Sequence, residues 1–196
     1  MIAFFIKIFT RLQTLTGFEP KGRSLTDDEK TELNKVFDGC VDLEPIIVKE
    51  GKLGAMGASK RAVTICNTIY IPGEDGAGYG APGTPGYLEL LVHETVHVWQ
   101  FQNGGTDYIT GSIKAQLHGW WSGRGMGEAY RFEYGIKDGK DWAGLGPEQQ
   151  AKLVELAYVA GLFSDPNARV VAADGNDYTD YAKDAITEMR ARRGAP

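Results

Sequence analysis

The sequence predicts an α+β domain, mostly helical, with a small β-sheet packed beside the helix that carries its principal motif. Three observations lead there. Apolar residues recur at helical spacing in several stretches, two short stretches are rich in β-branched residues, and glycine-rich segments separate them. With 196 residues and 42% hydrophobic content, the chain can bury a substantial core.

From Met1 to Thr16, Phe5, Ile8, Phe9, Leu12 and Leu15 fall at helical spacing with Lys7 and Arg11 between them. This reads as an amphipathic helix docked on its own domain. Contact with a membrane surface or a partner through residues 2–15, with Phe4 to Leu15 as anchor, is the second reading. A secretory signal would need a longer apolar run and a small-residue cleavage site. A connector containing Pro20 follows. Thr26 and Glu29 then form a capping box, Asp27 and Asp28 suit the positive end of a helix dipole, and Leu33, Val36 and Phe37 make the buried stripe that Gly39 closes. Ile46 to Val48 and Arg61 to Ile71 read as strands, joined by the glycine-loosened GKLGAMGAS.

Pro72 to Gly86 holds six glycines and three prolines in fifteen residues and cannot be a regular element. Gly76, Gly78 and Gly80 suggest a phosphate cradle only superficially, since no Lys-Ser/Thr follows. A surface loop or a rim beside a cleft fits better.

Thr84 as cap, Pro85 in the first turn and Gly104-Gly105 as stop frame the next helix. It carries His93-Glu94-Thr95-Val96-His97, an H-E-x-x-H pattern. The histidines are four apart and share one helical face, so they can share a metal ion, whereas Glu94 sits about 100° round and can reach a metal-bound water. Leu88, Leu90, Leu91, Val92, Val96, Val98, Trp99 and Phe101 make this helix apolar on nearly all sides. Two imidazoles and a carboxylate inside a core are costly unless something satisfies them. Metal binding is preferred over a pair of core histidines hydrogen-bonded to backbone.

Tyr108 to Trp121 reads as a helix with His118, the last of three histidines. Beyond a glycine-rich break and the aromatic segment Glu128 to Tyr134, Pro147 opens a helix running to Phe163, with Ala151, Leu153, Val154, Ala157 and Tyr158 in its stripe. A last helix uses Tyr181, Ala185, Ile186 and Met189 and ends in a frayed basic run, Arg190 to Arg193.

A hydrolytic zinc site takes three protein ligands and leaves one position open. The extended pattern with glycine and a third histidine fails, because Gln100 and Asn103 stand at those positions. His118 or a later glutamate (Glu128, Glu133, Glu148 or Glu155) can complete the set. Glu148 is the first choice because Ala151, one turn on, leaves room for close approach; His118 and Glu128 stay open at this point. Tyr130, Tyr134 and His118 are candidate donors to a developing oxyanion. The strand from Thr64 to Ile71 could present an edge to an extended substrate.

In their order, RSLTDDEKTELNKVF, CNTIYIP, LELLVHETVHVWQFQ and GPEQQAKLVELA resemble small bacterial zinc metallopeptidase domains of the Rhs- or Vgr-related, gluzincin-like type. In such proteins a glutamate in an E-x-x-A context is the third ligand, and Glu148-Gln149-Gln150-Ala151 matches it. The resemblance implies a zincin-like domain over 24–163, flanked by an N-terminal helix and connector over 1–23 and a C-terminal extension over 164–196. It further implies zinc held by His93, His97 and Glu148 and peptide-bond hydrolysis with Glu94 as general base, beside which Tyr130 or His118 is the residue-level candidate for a catalytic donor. A peptide or protein substrate and a secretion-system partner are implied too. The alternative is a zinc-stabilised scaffold or delivery module that cuts nothing.

Several classes are disfavoured. The formal charge is −5 without a basic stripe, which argues against nucleic acid. No stretch approaches the roughly 20 apolar residues of a membrane span. Cys40 and Cys66 read as ordinary thiols of a reducing compartment. The expected location is therefore the cytoplasm, with signal-independent export as the other option.

Overall fold

In the computed structural model, the residues described are 14–17, 19–51, 61–73, 80–105 and 130–196. They form an α+β fold of five α-helices and a four-stranded mixed sheet. In chain order the elements are β1 (Arg23–Ser24), α1 (Asp27–Phe37), β2 (Ile47–Gly51), β3 (Val63–Ile65), β4 (Thr68–Pro72), α2 (Pro85–Gly104), α3 (Phe132–Lys137), α4 (Pro147–Val159) and α5 (Thr179–Arg190). A short 3-10 turn at Trp142–Gly144 precedes α4. None of the described helices is long and apolar enough to cross a membrane. Of the helix expected from Met1 to Thr16, residues 1–13 lie outside the described residues, as does all of the one expected over Tyr108–Trp121.

The sheet order is β1-β2-β4-β3, antiparallel at both ends and parallel between β2 and β4. The stretch expected as one strand from Arg61 to Ile71 is instead a hairpin. It turns at Cys66-Asn67, where Cys66 takes a left-handed φ of 57°. Of the two arms of this hairpin, β4 lies in the sheet interior and β3 is an edge. Ile46 precedes β2 rather than opening it, although it is fully buried. At the opposite edge, the β1 residue Arg23 donates to Glu29 (2.7 and 2.8 Å), to Glu50 (2.8 Å) and to the Tyr87 hydroxyl (2.7 Å), tying sheet, α1 and α2 together.

The capping box at α1 forms as expected: Thr26 Oγ1 accepts from Glu29 N, and Glu29 accepts from Thr26 N. Thr84 is the N-cap of α2 in backbone conformation only. Its hydroxyl instead donates to Ala81 O at 2.8 Å, so no side-chain cap is made. Residues Leu90 to Gln100 of α2 are buried without interruption, as its all-round apolar character predicts. The sheet lies beside α2, chiefly through β3, and α4 packs along α2 most extensively. α4 stops at Val159 rather than continuing to Phe163, because the chain turns at Gly161 with φ of 82°.

Residues beyond 164 reach the same core. Val170, Tyr178, Ala182, Ala185, Ile186 and Met189 are buried, and Trp99 Nε1 donates to Met189 O at 3.1 Å. The basic run after α5 is pinned, not frayed. Arg190 donates to Lys35 O and Val36 O, and Arg192 to Gly39 O, supplying donors to carbonyls at the C-terminal end of α1. Cys40 and Cys66 are both buried.

Candidate metal centre

Two helices build the site. On α2, the four-residue interval places His93 and His97 on one face, with ring centroids 5.1 Å apart and planes at 77°. α4 runs alongside and directs Glu148, in its first turn, between them. Glu148 Oε2 lies 3.4 Å from His93 Nε2 and 3.3 Å from His97 Nε2. All three residues are buried, and one ligand atom from each lies within 4.8 Å of the others. This group can hold a metal ion.

The tautomers follow from what the other imidazole nitrogens meet. His93 Nδ1 lies 2.7 Å from Glu155 Oε2, and a carboxylate only accepts, so Nδ1 carries the proton. His97 Nδ1 lies 2.8 Å from Gln100 Oε1, again an acceptor. Both Nε2 atoms therefore aim at Glu148 with their lone pairs available to a cation. The separations there are longer than the 2.7 Å hydrogen bond on the far side of His93. A metal about 2.0–2.1 Å from each of three tetrahedral ligands holds them about 3.3–3.4 Å apart. The two distances to Glu148 have that value. The donor set and the two distances to Glu148 are compatible with a four-coordinate metal ion.

Charge is matched in the same sense. Burial opposes a charge on His93, yet its hydrogen bonds to Glu148 and Glu155 push it up to about 10. Burial likewise opposes charge on Glu148, but the two imidazoles outweigh it and hold the carboxyl well below its usual range. Without a metal, protons on the imidazoles supply the positive charge that this pocket favours; metal binding displaces them.

Glu94 faces the sheet. Its Oε2 accepts from Thr64 Oγ1 of β3 at 2.7 Å, and it is 4% exposed. Burial raises its pKa, and the nearby imidazoles and the Thr64 hydroxyl partly offset that rise. The Tyr130 ring sits 6.1 Å from the His93 ring, and burial, followed by the charge of Glu148, raises its phenol pKa and keeps it protonated.

The other expected residues fall as follows. Glu155 meets His93, but from the Nδ1 side, as the partner that orients a ligand. Glu133 is buried in α3 and is not brought into the His93, His97 and Glu148 group. Tyr134 is 42% exposed, with the Arg131 guanidinium 4.6 Å over its ring. His118 and Glu128 lie outside the described residues. Sequence reasoning missed Thr64 as the partner of Glu94 and Gln100 as the partner of His97. The only sequence signal for Gln100 was its position three residues after His97, one turn along the same face.

No protein-family model matches the chain, and neither a curated protein nor a solved structure matches it. What stands is the chemistry of this group on an α+β scaffold.

Proposed function

We propose that the protein is a zinc-dependent metallopeptidase, with His93, His97 and Glu148 as ligands and Glu94 as general base. The observation that carries the reading is the convergence of both Nε2 atoms on Glu148 at tetrahedral spacing, with a buried carboxylate on the adjoining face of the same helix. Zinc bound there would polarise a substrate carbonyl and acidify a coordinated water.

The chain's own groups then divide the work. Glu94, its carboxylate oriented by Thr64, takes the proton from the attacking water and passes it to the leaving amine. Tyr130, kept as a neutral phenol, offers a hydrogen bond to the carbonyl oxygen as negative charge develops on it. Glu155 and Gln100 hold the imidazoles in register. β3 has no strand on its outer side among the described residues, and Thr64 links it to Glu94. An extended peptide pairing with that edge would lie beside the general base, which supports a peptide substrate over a small molecule. The Rhs- or Vgr-like resemblance extends the proposal to a secretion-associated effector with a secretion-system partner.

The test combines metal content with turnover of a peptide library. Wild type should carry one zinc per chain and cleave. Glu94→Gln should keep the zinc and lose cleavage by about 100-fold or more. Zinc binding with no cleavage of any peptide would replace the peptidase by a zinc-stabilised scaffold.

A further inference from the structure

An amide, unlike a carboxylate, can present either of its ends to an imidazole. Only its carbonyl end fixes the proton on Nδ1. For Gln100 the choice is made elsewhere in the fold. Its Nε2 donates to Pro147 O at 3.0 Å and to Gln150 Oε1 at 2.9 Å, and a backbone carbonyl can only accept. Gln150 is oriented in the same way, because its Nε2 donates to Trp142 O and Gly194 O, both at 2.8 Å. Three backbone carbonyls thus set the polarity of two amides in series. Both glutamines are fully buried, so water does not compete for a reversed amide.

The carbonyl of Gly194 reaches Gln150 through a turn that suits only glycine. Its φ is 78°, and an added Cβ would sit 2.5 Å from the Trp142 ring. The acceptors that orient Gln150 therefore come from the 3-10 turn before α4 and from the segment after α5, neither of which supplies a metal ligand.

We infer that Gln150 is a positioning residue of the metal centre. It acts through Gln100 to hold His97 with its proton on Nδ1 and its Nε2 turned to Glu148. This rests on reading His93, His97 and Glu148 as a metal site. A residue that merely fills space between Trp142 and Gly194 would affect folding without acting through Gln100.

The experiment is a double-mutant cycle on zinc affinity, measured by chelator competition in wild type, Gln100→Met, Gln150→Met and the double variant, each first shown to be folded by circular dichroism. Gln100→Met should weaken zinc roughly 10- to 100-fold, and Gln150→Met about tenfold. In the Gln100→Met background, Gln150→Met should cost nothing further, because its route to the metal is already cut. An equal loss in both backgrounds, or no loss in either, overturns the inference.

If Gln150→Met does not fold, nitrogen-proton correlation spectra of zinc-loaded wild type decide instead. With only three histidines in the chain, His97 must show a protonated Nδ1, and a metal-bound Nδ1 overturns the assignment. A wild type that binds no zinc removes the metal reading and this inference with it. Zinc bound equally well by wild type and Gln150→Met removes this inference alone.

Discussion

Replacing Glu155 with alanine tests whether the imidazoles are held for a metal or simply packed. Among the described residues its carboxylate is the acceptor for His93 Nδ1, at 2.7 Å, and its side chain is 11% exposed. Removing it leaves a buried N–H without a partner and frees the ring to turn. Hydrogen bonds to charged groups contribute about 1.5–3 kcal/mol. Partners of metal-ligating histidines are worth 10- to 100-fold in metal affinity, or about 1.4–2.7 kcal/mol. The two scales agree, so Glu155→Ala should weaken zinc by 10- to 100-fold in chelator competition. Glu155→Gln keeps a carbonyl acceptor and should lose less than about tenfold. Lys152 also pairs with Glu155, but it is 39% exposed, so Lys152→Ala should change affinity by less than about fivefold. Zinc binding by Glu155→Ala within about twofold of wild type, well short of that range, would refute the role given to the His93–Glu155 contact.

Further outcomes follow from the same geometry. Thr64→Val removes a donor from the Glu94 carboxylate and so raises its pKa further; the acid limb of the pH-rate profile should move up, while Thr64→Ser should restore it. In the metal-free protein, the folded pKa of His93 lies near 10, above its ordinary 6.5, so that contribution to stability is complete below pH 6.5 and is lost as pH rises towards 10. The depressed Glu148 acts at the other end: its contribution is present above pH 4.5 and fades as acid protonates it. Thermal melts of chelated protein should therefore decline between pH 6.5 and 10. Zinc affinity should climb over the same interval, because protons compete for both Nε2 atoms. Melts that rise over this interval would contradict the charge assignment. Gly22→Ala places a Cβ 2.6 Å from Ile47 Cγ2 at a φ of 82°, and denaturant titration should show a loss above about 1 kcal/mol.

Local signals carried much of the fold into the sequence. Thr26 and Glu29 mark their helix because a capping box is a contact over three residues. The buried α2 shows in apolar residues on nearly all its sides, and Glu148 could be singled out beside Ala151, which is itself fully buried. What failed was non-local or concerned polar direction. The hairpin at Cys66-Asn67 lies inside a β-branched run, with no glycine to announce the left-handed residue. The parallel pairing of β2 with β4 is decided by packing, which leaves β3 as the edge. Arg190 and Arg192 looked like a solvated tail because their acceptors are carbonyls more than 150 residues earlier in the chain. Glu155 was one of the candidate third ligands, but which imidazole nitrogen it meets depends on how α4 is rotated against α2. Thr64 and Gln150 reach the site only through Glu94 and Gln100, a relation that no spacing encodes.

X-ray absorption at the metal edge of the purified protein, with metal content measured on the same sample, bears most directly on the centre itself. One zinc per chain, with two imidazole nitrogens and a carboxylate oxygen that disappears in Glu148→Ala, is the predicted result. Protein that takes up no stoichiometric zinc when supplied with it, or a zinc shell unchanged in Glu148→Ala, would contradict it.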